Sequence, residues 1–131
     1  MVTITNDSSI GQVMNLLKES KAWVLDRGTT MSRDVEIPVL YNGMQGPDMR
    51  RVCEKTGLNT AEVIRRHSEP DYLVHFIGFS IGFPYLGGMD ASISTDRLET
   101  PRRSVPAGSI GIAGNQTGIY PKSSPGGWNI I

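Results

Sequence analysis

The sequence has little of several things, and each scarcity removes a class of function. One cysteine, Cys53, stands alone in 131 residues, so no internal disulfide can form and a reducing cytoplasm is the expected setting. With two histidines beside that cysteine, a structural zinc site is not expected. Thirteen basic and thirteen acidic residues cancel. A nucleic-acid partner would call for a basic face, and an anionic membrane for a basic patch, so neither is expected. No apolar run approaches the roughly 20 residues that cross a bilayer. The opening MVTITND has neither a basic region nor a long apolar stretch, so no secretory signal is expected there. From Ser104 to Ile131 the only charged side chain is Lys122.

What is present is unevenly distributed. Ten of the fifteen glycines fall between Gly78 and Gly127, which makes the second half turn-rich and β-like. The first half carries helical signals. Residues 2–5 alternate as a short strand, and Ile10, Val13, Met14, Leu16 and Leu17 predict a helix over 9–21. A strand is expected over 35–41, at an edge because of Pro38. Pro47 and Asp48 suit the first turn of a helix that carries Met49, Val52 and Cys53 and stops at Gly57. Asn59, with Glu62 three residues on, predicts the cap of a second helix ending over 68–70. Strands are expected over 72–77 and 110–113. The final Trp128-Asn129-Ile130-Ile131 reads as a strand whose partner is missing.

Generic catalytic motifs are absent: no Gly-x-x-x-x-Gly-Lys phosphate loop, no Gly-x-Ser-x-Gly elbow, no His-Glu-x-x-His. If ATP takes part, it is held by other means or on another subunit. His67, at a helix end where a cation is favoured, reads first as structural and only weakly as a catalytic candidate. His75 reads as half-buried strand packing. Arg97, Arg102 and Arg103 form a basic group in a loop stiffened by Pro101 and Pro106, and an Arg fork binds a carboxylate or phosphate. Phe83, Tyr85, Tyr120 and Trp128 stand beside Gly or Pro, where a flat ring lines a wall. Gln116 and Thr117, between Gly114 and Gly118, offer amide and hydroxyl groups to a polar ligand or serve the turn alone.

Three stretches carry a resemblance: GFSIGFPYLGG at 78–88, VPAGSIGIAGNQTGIYP at 105–121 and SPGGW at 124–128. They resemble the KipI / PxpB-type 5-oxoprolinase subunit / allophanate hydrolase subunit 1 family, and EIPV at 36–39, GPD at 46–48 and HS at 67–68 agree with it. Ile81 stands where that family usually has Pro, and Asp96 where it usually has Pro before Arg. The resemblance implies α+β structure leading into mainly β. Residues 1–25 would be the last strand and helix of a small α+β domain, 26–34 a linker, and 35–131 a C-terminally incomplete cyclophilin-like β-barrel domain. It further implies a non-autonomous subunit that acts with PxpA-like and PxpC-like (KipA-like) partners to open 5-oxo-L-proline to L-glutamate. ATP with Mg2+ would act at the level of the complex. The substrate-binding candidates are then Arg97, Arg102, Gln116, Thr117, Tyr85 and Tyr120. Two alternatives accompany it: a KipI-type inhibitor of a sporulation histidine kinase, and a subunit related to allophanate hydrolase or urea carboxylase.

Overall fold

The structure is a computed structural model that describes residues 34–41 and 43–131, so the expected strand and helix of the first 25 residues lie outside the described part. Val39–Ile131 forms one compact unit. The strand expected over 35–41 does not form. Pro38 offers no N–H to a ladder, and among the described residues no strand pairs with the segment.

Helix α1 spans Met49–Thr56 and buries Met49 and Val52. It stops where expected, at Gly57, whose φ of 73° lets its N–H reach the Cys53 carbonyl. The start differs from expectation. Asp48, rather than Pro47, borders the helix, and its carboxylate makes no cap bond. Both of its oxygens are used elsewhere, as described below. Helix α2, Thr60–Ser68, is capped by Asn59, whose Oδ1 accepts from Glu62 N at 2.9 Å. Its outer face is a mesh of Glu62, Arg65, Arg66 and Glu69 ion pairs. Its inner face buries Val63 and His67. Neither helix is long and apolar enough to cross a membrane.

The strands are β1 (Leu73–Ile77), β2 (Pro84–Gly87), β3 (Arg102–Val105), β4 (Ile110–Ala113), β5 (Gln116–Ile119), β6 (Ser124–Gly126) and β7 (Asn129–Ile130), with a short 3-10 turn at Ala91–Ile93. They make an antiparallel sheet in the order β1-β2-β5-β4-β7 and a separate β3–β6 pair. The class is α+β, as expected. β4 is apolar at every position but Gly111 and fully buried, because both faces of the sheet are covered. On one side Ile110, Ile112 and Ile131 pack with Met49, Val52 and Val63 of the helices. On the other, Ala113 and Ile130 pack with Phe83, Tyr120 and Trp128.

The C-terminal strand has its partner within the chain, which corrects the sequence reading. Ile130 pairs with Gly111 and Asn129 with Ile112, and Ile131 N donates to Ile110 O at 3.1 Å. Strand alternation sends Ile130 into the aromatic cluster and Ile131 into the helical one, each only 3% exposed.

Close approach fixes Gly118. A Cβ there would lie 2.8 Å from the Phe83 ring and 2.9 Å from the Pro84 carbonyl oxygen. Gly118→Ala should therefore cost about 2 kcal/mol, seen as a lower midpoint in thermal unfolding. Phe83→Leu in the same chain should recover part of that loss. An unshifted midpoint would mean that β2 and β5 are less tightly apposed than described.

Candidate functional site

The sheet's second face ends in an aromatic cage. Tyr85 comes from β2 and Tyr120 from just after β5. Trp128 precedes β7, Phe83 precedes β2, and Phe79 comes from the loop at 78–82. Phe83 lies at the centre, with ring centroids 5.1 Å from Tyr120, 5.1 Å from Tyr85, 5.4 Å from Trp128 and 5.5 Å from Phe79. Most pairs meet edge-to-face, the arrangement that ring quadrupoles favour. The cage opens on a cavity of about 70 Å3 lined also by Arg97, Gly126 and Gly127. Gly126 is required, since a Cβ there would run into the Tyr120 phenol oxygen. Phe79 has φ of 58°, a left-handed conformation costly for a bulky side chain. That backbone holds its ring edge-on to both Phe83 and Tyr120.

Arg97 is the one charged lining residue, with its guanidinium 5.9 Å from the centroid of Trp128. It is exposed, and no ion pair among the described residues uses it. Burial pushes the Tyr120 phenol up, against the opposing pull of the Trp128 backbone amide and the Arg97 and Arg102 charges. Tyr120 is therefore a neutral hydroxyl at neutral pH, able to donate. The arrangement suits a small flat ring that carries an anionic group: ring faces for the ring, a free guanidinium for the anion, a phenol for a carbonyl oxygen.

Three of the candidates, Arg97, Tyr85 and Tyr120, thus meet at one place. Arg102 does not join them directly. Its Nη2 donates to Asp48 Oδ1 at 2.6 Å, while Asp48 Oδ2 accepts the Ile130 N–H at 2.7 Å. Arg102 borders the cage only through its backbone, paired with Gly126, and its buried Nη1 has no partner among the described residues. Gln116 sits half-buried at the β4–β5 turn opposite Ala113. Thr117 faces away from the cage, because Gly118 beside it faces Phe83 and side chains alternate.

Thr117 instead meets His67. The Thr117 hydroxyl donates to Gly111 O at 3.1 Å, so its oxygen accepts from His67 Nε2–H at 2.9 Å. That tautomer leaves Nδ1 to accept from the Tyr41 hydroxyl at 2.6 Å. Burial lowers His67 to about 4 and raises Tyr41 to about 12. His67 is therefore a neutral tie between α2, β5 and Tyr41, not the helix-end cation the sequence suggested. His75 is exposed on β1, its ring lying over Gly87, rather than half-buried. Phe79 escaped the sequence reading. Its signal was an aromatic between two glycines, Gly78 and Gly82. A larger cavity of about 450 Å3 opens beside α1 near Tyr41, Met49 and Cys53. Its one charged residue, Arg50, is paired with Glu54, so no free charge converges there.

A family model described as carboxyltransferase domain, subdomain C and D, matches residues 1–131. The B-type 5-oxoprolinase subunit of Haemophilus influenzae is 54% identical over 99 residues, which is 76% of this chain and 46% of that protein. The B-type 5-oxoprolinase subunit of Bacillus subtilis is 52% identical over 99 residues, 76% of this chain and 41% of its own length. The chain therefore spans a little under half the length of the curated relatives it matches. Among solved structures, the conserved protein PH0987 of Pyrococcus horikoshii superposes with a TM-score of 0.73 at 52% identity, over 91% of this chain and 54% of that one. TTHA0988 superposes with a TM-score of 0.72 at 39% identity, over 92% of this chain and 22% of that one.

Proposed function

The chain belongs to the carboxyltransferase-domain family, subdomain C and D, and on that premise we propose that it works as a 5-oxoprolinase subunit of the B type. On this reading it acts in the cytoplasm with PxpA-like and PxpC-like (KipA-like) partners and has no activity alone. ATP with Mg2+ enters at the level of the assembly. The sheet is read as part of a cyclophilin-like barrel.

The observation that carries the reading is the unpaired Arg97 over Trp128 at the mouth of the aromatic cage. 5-Oxoproline is a flat five-membered lactam bearing a carboxylate. Arg97 takes the carboxylate, the Trp128 and Tyr85 rings flank the lactam, and the Tyr120 hydroxyl donates to the lactam oxygen. A lactam is a poor electrophile, so phosphoryl transfer from ATP to its oxygen is what lowers the barrier to water. Donors around that oxygen gain strength as charge develops. Arg102, Gln116 and Thr117 support the cage from behind rather than touching the substrate.

In the assembled enzyme, Arg97→Ala should raise KM for 5-oxoproline about 10- to 100-fold, as expected for losing a charge-assisted anchor. The thermal midpoint should stay put, because Arg97 is exposed. Arg102→Ala should instead lower stability by about 3 kcal/mol, because it leaves the Asp48 carboxylate buried without its partner. An unchanged KM for Arg97→Ala removes the anchor and, with it, the substrate reading of the cage. A second reading is the alternative that the sequence resemblance carries: allophanate, also flat and anionic, would suit the same cage. Glutamate release against allophanate hydrolysis by the assembled enzyme separates the two. A KipI-type kinase inhibitor needs no cage and would tolerate Arg97→Ala.

A further inference from the structure

Five rings form the cage, and one is held differently from the rest. Phe83 and Tyr120 are each 1% exposed and Trp128 5%, while Tyr85 is half-buried with Phe76 stacked on it at 4.4 Å. Phe79 is 62% exposed and meets Phe83 and Tyr120 edge-on, at centroid distances of 5.5 and 6.4 Å.

Two tight turns in succession carry Phe79. Ser80 N donates to Gly78 O at 2.5 Å across it, and its φ of 58° makes this the rare, strained form of γ-turn. Phe83 N then donates to Ser80 O at 3.1 Å, with Gly82 at φ of 82° in the third position, a type II turn. Such a turn favours proline in its second position, where the ring presets the backbone. This chain has Ile81 there in place of its family's usual proline, and the Ile81 N–H has no partner among the described residues. The turn is therefore less constrained than a proline would make it.

The cavity encloses about 70 Å3, whereas small-molecule sites usually enclose roughly 300–1,000 Å3. One wall must give way to a ligand. Tyr120 is fastened at both backbone groups, its N–H to Ser109 O at 2.9 Å and its carbonyl to Gly108 N at 2.7 Å. Trp128 runs straight into β7, and Phe83 is wedged against Gly118. Phe79 has solvent on its outer side and a backbone that gains by relaxing.

We propose that Phe79 is the adjustable wall of the cage and sets the size of flat ring that the cage accepts. Turning outward, it gives up two edge contacts and relieves a left-handed backbone. The losses and gains oppose each other, so a ligand can decide between the two positions. This inference rests on the cage being the substrate site and deepens that reading by naming its size filter.

The test compares 5-oxoproline with its homologue one methylene larger, 6-oxopiperidine-2-carboxylate, in the assembled enzyme. The quantity read is the inhibition constant of the homologue divided by KM for 5-oxoproline. One methylene in a pocket with fixed walls is worth about 10- to 200-fold. Phe79→Gly permits the same left-handed turn without strain and removes the ring. It should lower the ratio about tenfold or more. Ile81→Pro stiffens the turn and should raise the ratio at least about threefold. Thermal midpoints check that both variants fold, and Arg97→Ala is measured beside them. A ratio that neither variant moves, with KM raised by Arg97→Ala, overturns the adjustable wall and leaves the substrate reading standing. A ratio that moves as expected, with KM indifferent to Arg97→Ala, upholds the wall and removes the anchor. If nothing moves, both are overturned.

Discussion

Asn129→Leu, a substitution of nearly equal size, is expected to lower the free energy of unfolding by about 3 kcal/mol, among the larger effects of any single change in this chain. Asn129 is wholly buried. Its Nδ2 donates to Asp96 O at 2.9 Å and Ile112 O at 3.0 Å, with a longer contact to Thr95 O. Its Oδ1 accepts from Arg51 Nη1 at 3.0 Å. Leucine fills the volume but takes the amide donor from Ile112 O and leaves Asp96 O and Arg51 only their long mutual contact of 3.5 Å, and an unmade buried bond costs more than a made one contributes. Urea unfolding should show a lower midpoint with an unchanged slope. Asn129→Asp should be no better, since a carboxylate cannot donate to carbonyls. A loss under about 1 kcal/mol for the leucine variant would show that those bonds are replaced by water.

The same residue links stability to the site. Asn129 fastens the Thr95–Asp96 backbone to β7, and Leu98 N donates to Gly127 O at 2.7 Å. Arg97 lies between these ties, and Trp128 lies between Gly127 and Asn129. The Arg97–Trp128 pairing is thus held by backbone fastening on both sides. Variants at Asn129 should weaken ligand binding at the cage as well as the fold.

What could be read in the sequence divides along a physical line. α1 and α2 were legible because their signals are local: Gly57 ends one, Asn59 caps the other, and neither depends on distant residues. β1 was legible as a stretch rich in β-formers, and β4 as a short apolar stretch between Gly108 and the turn at Gly114. β2, β3, β5 and β6 were not. GFPYLGG reads as a turn, and it extends as Pro84–Gly87 only because Tyr85 and Leu86 find Gly118 and Thr117 across the sheet. The C-terminal strand looked orphaned because its partner, β4, is itself buried on both faces and advertises no free edge. Among the described residues no strand pairs with the outer side of β1, and its run of β-formers did not show that it lies at the edge of the sheet. Within the site, Arg97 and Arg102 are alike in sequence. What separates them is Asp48, 54 residues away, which claims Arg102 and leaves Arg97 to the cage. Thr117 and Gly118 are likewise parted by strand alternation alone.

Acid should weaken the fold through His67 by roughly 3 kcal/mol between pH 6.5 and 4. Buried and bonded at both nitrogens, the folded imidazole takes a proton only near 4, against 6.5 for an ordinary histidine. In that window the unfolded chain holds the extra proton and the folded chain does not. Falling pH therefore favours unfolding, and the loss is complete once the pH passes below the folded value. Tyr41 and Tyr72, whose hydroxyls bond His67, are raised to about 12 and stay neutral throughout. Carboxylates also titrate in acid, so the variant His67→Gln isolates the contribution. At pH 7 it should cost about 2 kcal/mol, for hydrogen bonds imperfectly replaced. Its stability should then fall less steeply than that of the natural chain as the pH drops to 4. Urea midpoints at pH 7, 5.5 and 4.5 read the difference. Parallel curves for the two proteins would mean that His67 gains a proton in the folded state as easily as in the unfolded one. The Tyr41–His67–Thr117 tie would then be open to water rather than closed.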